Sequence, residues 1–196
     1  MTRSTIGLRS LFSAVIIGFF LLFSSCKNEN KPEDPKEVAE DQNDKKFRDN
    51  EKKDDDADFL VDAAESDLME IELGNLALMN GTNPAVKEFA RKLIIDHTNS
   101  VNELKPFAEK LQVSLPAAIT DKGLKKLNDL KGENLGKDFD KRFAGIMVNN
   151  HENAITNMHH ASEVAHDLAV RTWAINKVPI LKGHLEHAKM LKDKIE

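Results

Sequence analysis

The chain has 196 residues, of which 40% are hydrophobic, 31% charged and 6% aromatic, and its formal net charge is −5 at pH 7. This length fits one or two domains and excludes a large multidomain enzyme. A single Cys excludes an internal disulfide and a thiolate zinc site. The net negative charge and the lack of a basic face in the sequence argue against nucleic acid as a partner.

The N-terminus has the pattern of a secretory signal. Arg3 and Arg9 precede an apolar stretch over residues 11–23, which is shorter than the roughly 20 apolar residues of a membrane-spanning helix. Small residues then precede Cys26, and this arrangement resembles the lipobox of bacterial lipoproteins. We therefore predict a lipoprotein signal peptide over residues 1–25. The alternative is an ordinary secretory peptide that leaves a free thiol.

Lipidation of Cys26 would anchor the protein to a membrane, since two or more acyl chains hold a protein firmly to a bilayer. In proteins with this signal, Asp after the Cys often means retention at the inner membrane. Here Lys27 stands at that position. We therefore expect a lipid-anchored protein of the cell envelope, at the outer membrane of a Gram-negative bacterium.

Residues 26–57 are predicted to form an acidic, disordered tether behind the lipidated Cys. From residue 27 to residue 58 the chain carries eight Lys or Arg against thirteen Asp or Glu, and only four residues are apolar. Such a composition cannot bury enough apolar surface to offset the entropy lost on ordering. The run of three Asp at 54–56 lacks the Gly and the terminal Glu of an EF-hand, so we interpret it as solvated.

Residues 58–196 are predicted to fold as an all-α, antiparallel four-helix bundle. No stretch alternates like a strand, and four long segments have helical periodicity. The predicted long helices cover about 58–80, 83–112, 138–166 and 168–194, with a short helix near 120–131. Two hairpins joined by a long crossover between the second and third long helices produce such a bundle. Pro106 and Pro179 fall inside two of these helices and are expected to bend them.

Each long helix carries a polar side chain near the middle of its predicted inner face. These side chains are Glu70, His97, His151 and His184. Mid-length positions of antiparallel helices lie at the same level, and one carboxylate with three imidazoles suits Zn, Fe, Cu or Mn. Three neighbours are candidates for accessory or outer ligands: Asp96, Glu152 and His187. The alternative is a structural polar layer that fixes helix register without a metal.

Several strings in this region resemble a widespread family of uncharacterised bacterial envelope proteins, labelled predicted outer-membrane proteins with a ferritin-like fold. The strings are Ala63-Ala64, Met69-Glu70-Ile71-Glu72-Leu73-Gly74, Asn83-Pro84-Ala85-Val86-Lys87-Glu88-Phe89-Ala90, Asp96-His97, Leu115-Pro116, Phe139-Asp140, His151-Glu152, and Pro179 ahead of His184-Leu185. The resemblance covers about residues 58–194. It implies a ferritin-like bundle with the four mid-helix polar residues at the marked positions of the family.

The resemblance does not imply ferritin activity. Di-iron proteins of the wider fold use a Glu on each of two helices and Glu-x-x-His on each of the other two. Here Ile94 stands three residues before His97, and Leu181 stands three residues before His184. Dinuclear iron oxidation is therefore not expected.

Three functions remain as hypotheses. The first is a non-enzymatic envelope protein with a binding or stress-related structural role and a protein or cell-wall partner. The second, the alternative, is mononuclear binding or buffering of a transition metal through the four mid-helix residues. The third, a ferritin-like oxidase, is disfavoured by the missing Glu-x-x-His pairs.

Overall fold

The computed structural model describes residues 33–133 and 135–195, and every regular element within them is an α-helix. The helices are α1 (Pro35–Phe47), α2 (Glu51–Asn80), α3 (Pro84–Leu111), α4 (Asp121–Lys131), α5 (Lys137–Val164) and α6 (Leu168–Ile195). The predicted all-α class is therefore confirmed for the described residues, none of whose helices is long and apolar enough to span a bilayer. The predicted signal peptide and Cys26 lie outside this range.

The four long helices form two hairpins. Helix α2 packs along α3, to which a short turn at 81–83 connects it, and α5 packs along α6. The hairpins meet through α2 against α5 and through α3 against α6, while α4 packs on α2 and α5. All four predicted long helices and the short crossover helix form in the predicted order. Their ferritin-like arrangement stays a prediction.

Buried carboxylates tie the turns of one hairpin to the other. Asp140 of α5 is 1% exposed. It accepts hydrogen bonds from the backbone N–H groups of Thr82 and Asn83, at 3.1 and 2.8 Å, and from the Thr82 hydroxyl at 2.7 Å. Asp56 of α2 accepts from the backbone N–H groups of residues 166 and 167, both at 2.7 Å. These contacts satisfy donors that helix starts leave unpaired, so they fix both turns.

Two apolar clusters fill the space between the hairpins. One contains Leu73, Phe89, Phe143 and Leu191, and the other contains Leu60, Leu104, Ala161 and Val178. Along each long helix, the residues between these clusters include buried polar side chains. The core is therefore interrupted by one polar level, which is where the candidate site lies.

The structure corrects the prediction that residues 26–57 form a disordered tether, as far as it describes them. Helix α1 packs on α2, which itself begins at Glu51, ahead of the predicted start at residue 58. The Asn43 side chain is buried and pairs with the Ser114 backbone, donating to its carbonyl at 3.0 Å and accepting from its N–H at 2.7 Å. Ala39 and Phe47 are buried on the same face. The average composition of the segment does not show that α1 has one narrow buried face, on which the buried residues recur every four positions.

Candidate metal centre

Three of the four predicted site residues meet in the core. His97 of α3, His151 of α5 and His184 of α6 are each at most 4% exposed. One ring nitrogen from each lies within 4.8 Å of those of the other two. The ring centroids are 5.2 to 5.8 Å apart. We call these three residues the histidine cluster.

Each imidazole of the cluster turns one nitrogen onto an oxygen acceptor. The contacts are His97 Nδ1 to Asp67 Oδ1 at 2.7 Å, His151 Nδ1 to the Met147 carbonyl at 2.8 Å, and His184 Nε2 to Asp96 Oδ2 at 2.7 Å. Carbonyl and carboxylate oxygens only accept, so each of these ring nitrogens carries the proton. The other nitrogen of each neutral ring then keeps its lone pair. These three nitrogens are His97 Nε2, His151 Nε2 and His184 Nδ1.

None of these three lone-pair nitrogens accepts a hydrogen bond from a donor among the described residues. His151 Nε2 lies 3.2 Å from His184 Nδ1, and His97 Nε2 is buried without a hydrogen-bond partner. Two lone pairs at that separation repel each other unless a cation, either a proton or a metal ion, lies between them. Burial lowers the pKa of His151. Burial, reinforced by the other two imidazoles against the attraction of Asp96, lowers the pKa of His184 to about 4. A bridging proton is therefore disfavoured at neutral pH, and the donor set fits a metal ion.

The two outer carboxylates act on the cluster differently. Burial alone would lower the pKa of His97, but the hydrogen bond and charge of Asp67 outweigh it and raise that pKa. Asp96 is half-buried and also contacts the Lys92 ammonium at 2.7 Å. Burial opposes ionisation of Asp96, yet the hydrogen bonds from Lys92 and His184 lower its pKa. Asp96 is thus held as a carboxylate, and the side chain of Asp67 is the less solvated of the two.

Glu70, the predicted fourth ligand, lies beside the cluster but is not part of the converging group. Its Oε1 accepts a hydrogen bond from Asn150 Nδ2 at 2.7 Å, and Asn150 Oδ1 accepts one from Lys126 Nζ at 2.5 Å. Its Oε2 is buried without a partner. The Glu70 charge is near enough to favour protonation of His97 and His151. Glu70 as a ligand remains a prediction.

The predicted accessory residues separate into two groups. Asp96 contacts the cluster through His184, as an outer ligand would. Glu152 is exposed and forms an ion pair with Lys189 at 2.9 Å. The ring of His187 packs on Phe89 with centroids 4.5 Å apart. Neither Glu152 nor His187 belongs to the converging group.

Sequence reasoning missed Asp67 and Asn150 as functional residues. Asp67 is buried on α2, one turn before Glu70, among small and apolar neighbours. A carboxylate at such a position is costly unless it is paired, so its place on the inner face was an available signal. Asn150 directly precedes His151 and gives no such signal, because its role depends on a side chain of α2.

A cavity of about 300 Å³ adjoins the cluster. His97 and His184 line it, as do Lys122 and Lys126 of α4. Part of its wall is apolar, with contributions from Phe59, Met158, Ala161 and Trp173. The candidate site therefore borders a space large enough for a small molecule.

Residues 41–191 match the profile of a family described as a domain of unknown function, DUF4142. The chain belongs to this family. The expected membership of an uncharacterised domain family is thereby confirmed, while the lipoprotein and outer-membrane assignments stay predictions. No curated protein matches the chain.

Two solved structures share the fold of this DUF4142 chain. CopM in the Cu(I)-bound form is 18% identical, with a TM-score of 0.60 over 71% of this chain and 96% of that chain. CopM in the Cu(II)-bound form is 16% identical, with a TM-score of 0.61 over 72% of this chain and 97% of that chain.

Proposed function

We propose that this protein binds one transition-metal ion, copper in the first place, through His97, His151 and His184. The observation that supports this most is the orientation of the imidazoles: all three outer nitrogens donate to oxygen, which leaves three lone pairs facing one buried point. Outer oxygen acceptors of this kind orient metal-ligating imidazoles in metalloproteins. Imidazole is a good ligand for copper and zinc. The copper-bound forms of CopM favour copper among these metals.

The rival interpretation is a structural polar layer without a metal. A layer of that kind pairs each buried donor with an acceptor, because an unpaired buried polar atom costs about 1–3 kcal/mol. Here the facing nitrogens of His151 and His184 are two acceptors without a donor between them, and His97 Nε2 has no partner at all. A bound cation removes that cost at all three nitrogens, so the geometry favours metal binding.

We further propose that this binding takes place in the cell envelope, on a bundle of the ferritin-like type anchored through a lipidated Cys26. The protein would then hold or buffer its metal outside the cytoplasm, without a catalytic step. Dinuclear iron oxidation has no support, since in the described part of the chain the converging group contains three histidines and no carboxylate. Fractionation of cells that express the full chain or Cys26→Ser tests the anchor: the wild-type protein should stay with membranes and the variant should not.

The test of metal binding uses the full chain solubilised in detergent. We expect one equivalent of copper by mass spectrometry after loose ions are removed, and tighter binding of copper than of Zn, Fe or Mn. His97→Gln and His184→Gln should each weaken copper binding by more than the roughly 10–100-fold that loss of an outer partner costs, because one of three ligands is lost. His166→Gln is the matched control, since His166 is exposed on the turn between α5 and α6. Retention of stoichiometric copper in both cluster variants would overturn the proposal.

A further inference from the structure

The charged side chains that line the cavity beside the histidine cluster differ in whether they already have a charged or polar partner. Its carboxylates already have partners: Asp67 contacts His97, Asp96 contacts His184, and Glu65 contacts Lys122 at 3.3 Å and the Thr120 hydroxyl at 2.9 Å. Asp62 forms an ion pair with Lys36. Each acidic residue of the lining therefore has at least one partner before any ligand enters, although Asp67 Oδ2 itself has none.

Lys126 differs from these groups. It lines the cavity and is half-buried, and its ammonium donates to the neutral Asn150 side chain. Among the described residues, no carboxylate lies within ion-pair distance of its Nζ. Burial, together with the nearby Lys122 ammonium, lowers the pKa of Lys126 against the attraction of Glu70. A half-buried ammonium that lacks a carboxylate at ion-pair distance is stabilised by an anion at close range.

The apolar part of the cavity lining suits the rest of an organic molecule. Phe59, Met158 and Trp173 contribute apolar surface, and the buried Trp173 Nε1 has no hydrogen-bond partner. An indole N–H can only donate, so it needs an acceptor that the protein does not supply. Three protein imidazoles also leave a tetrahedral metal with one open position.

We propose that this cavity binds a small organic carboxylate, with its charged end directed to Lys126 and to the metal held by the histidine cluster. The inference rests on the proposed metal binding and extends it to a second component. The carboxylate would complete the coordination of the metal, and its exchange would open the site. The metal would then be held together with an exchangeable small ligand rather than sealed in the core.

The experiment uses the full chain in detergent, loaded with Cu(II), with azide and benzoate as probes. Azide bound to Cu(II) produces a charge-transfer absorption band, so its titration reports an open copper position. We expect a saturable band, and we expect benzoate to compete with azide. Lys126→Gln should weaken benzoate binding about tenfold, which is the effect of losing one charge-assisted hydrogen bond. Lys125→Gln, an exposed neighbour on α4, is the matched control and should bind benzoate as the wild type does.

A second variant tests the cavity itself. Ala154→Leu reduces the space next to the site, so it should weaken benzoate more than azide. Copper content is measured on each sample. One equivalent of copper without any azide or benzoate effect, or equal benzoate affinities for Lys125→Gln and Lys126→Gln, would overturn this inference and leave the metal proposal intact. Absence of copper in the wild-type protein would overturn both.

Discussion

Asp67→Asn is the most informative single change at the histidine cluster. The amide oxygen of Asn can still accept the hydrogen bond that His97 Nδ1 now gives to Asp67 at 2.7 Å. The substitution therefore preserves the orientation of the ring and removes only the negative charge. Any loss of metal affinity then measures how much that charge supports the ligand.

The structure sets the expected size of the effect. Loss of an outer partner of a metal-ligating histidine costs about 10–100-fold in affinity, or about 1.4–2.7 kcal/mol. The side chain of Asp67 is 10% exposed, while that of Asp96 is 25% exposed and shared with Lys92. Charge effects grow as solvent is excluded. We therefore expect Asp67→Asn near the upper end of that range and Asp96→Asn near the lower end.

The measurement is competition for copper against a chromophoric chelator, with circular dichroism to verify folding and exposed Asp129→Asn as the control. Asp67 also raises the pKa of His97. Protons therefore compete with the metal more strongly in the wild type than in Asp67→Asn, and the affinity ratio should be larger at pH 8 than at pH 6. Equal affinities for the wild type and Asp67→Asn, or a larger loss in Asp96→Asn, would refute the reasoning.

Three further predictions concern the fold. Asp140→Ala should lower the free energy of unfolding by about 3 kcal/mol, because buried donors of the 81–83 turn lose their acceptor. Denaturant melts measure this loss, and the exposed control Asp138→Ala should not show it. Phe47→Ala should cost about 3 kcal/mol, the lower end of the range for a buried Phe, if α1 is docked, and close to nothing if the segment were a free tether. Burial and surrounding carboxylates raise the pKa of Asp58 to about 6, so the folded state holds that proton more tightly and stability falls as pH rises from about 4 through 6. Asp58→Asn should therefore raise the Tm above pH 6 and leave it unchanged near pH 4.

The long helices were predictable because their signals are local. Each has a continuous inner face, and the Asn83-Pro84 pair marks the start of α3 with a side-chain cap and a proline at the first position. Helix α1 has a similar local start signal, with Asp34 as the side-chain cap and Pro35 at the first position, but no local signal shows that it docks on the bundle. Its docking depends on Asn43 pairing with Ser114, 71 residues away, and a composition average over an acidic segment hides that contact.

The level of the site was predictable, but its ligand geometry was not. Helical register places His97, His151 and His184 at mid-height, and the structure brings them together. Register does not show which carboxylate of α2, Asp67 or Glu70, contacts the cluster, because the two lie only one turn apart, roughly 4.5 Å along the axis. Which carboxylate contacts His97 depends on the orientation of its imidazole ring. That orientation follows from packing between helices rather than from residue spacing along one helix.

The hydrogen bonds around the cluster cross between the hairpins as well as within them. His184 of α6 donates to Asp96 of α3, and Asn150 of α5 donates to Glu70 of α2. These contacts hold the helices in register whether or not a metal is bound, so the structural and metal-binding interpretations do not exclude each other. The bond between His184 and Asp96 both links the hairpins and turns a ring nitrogen inward, while the bonds of His97 and His151 orient their rings within a hairpin. Folding thus orients the ligands before the metal arrives, and little binding energy is lost to rearrangement.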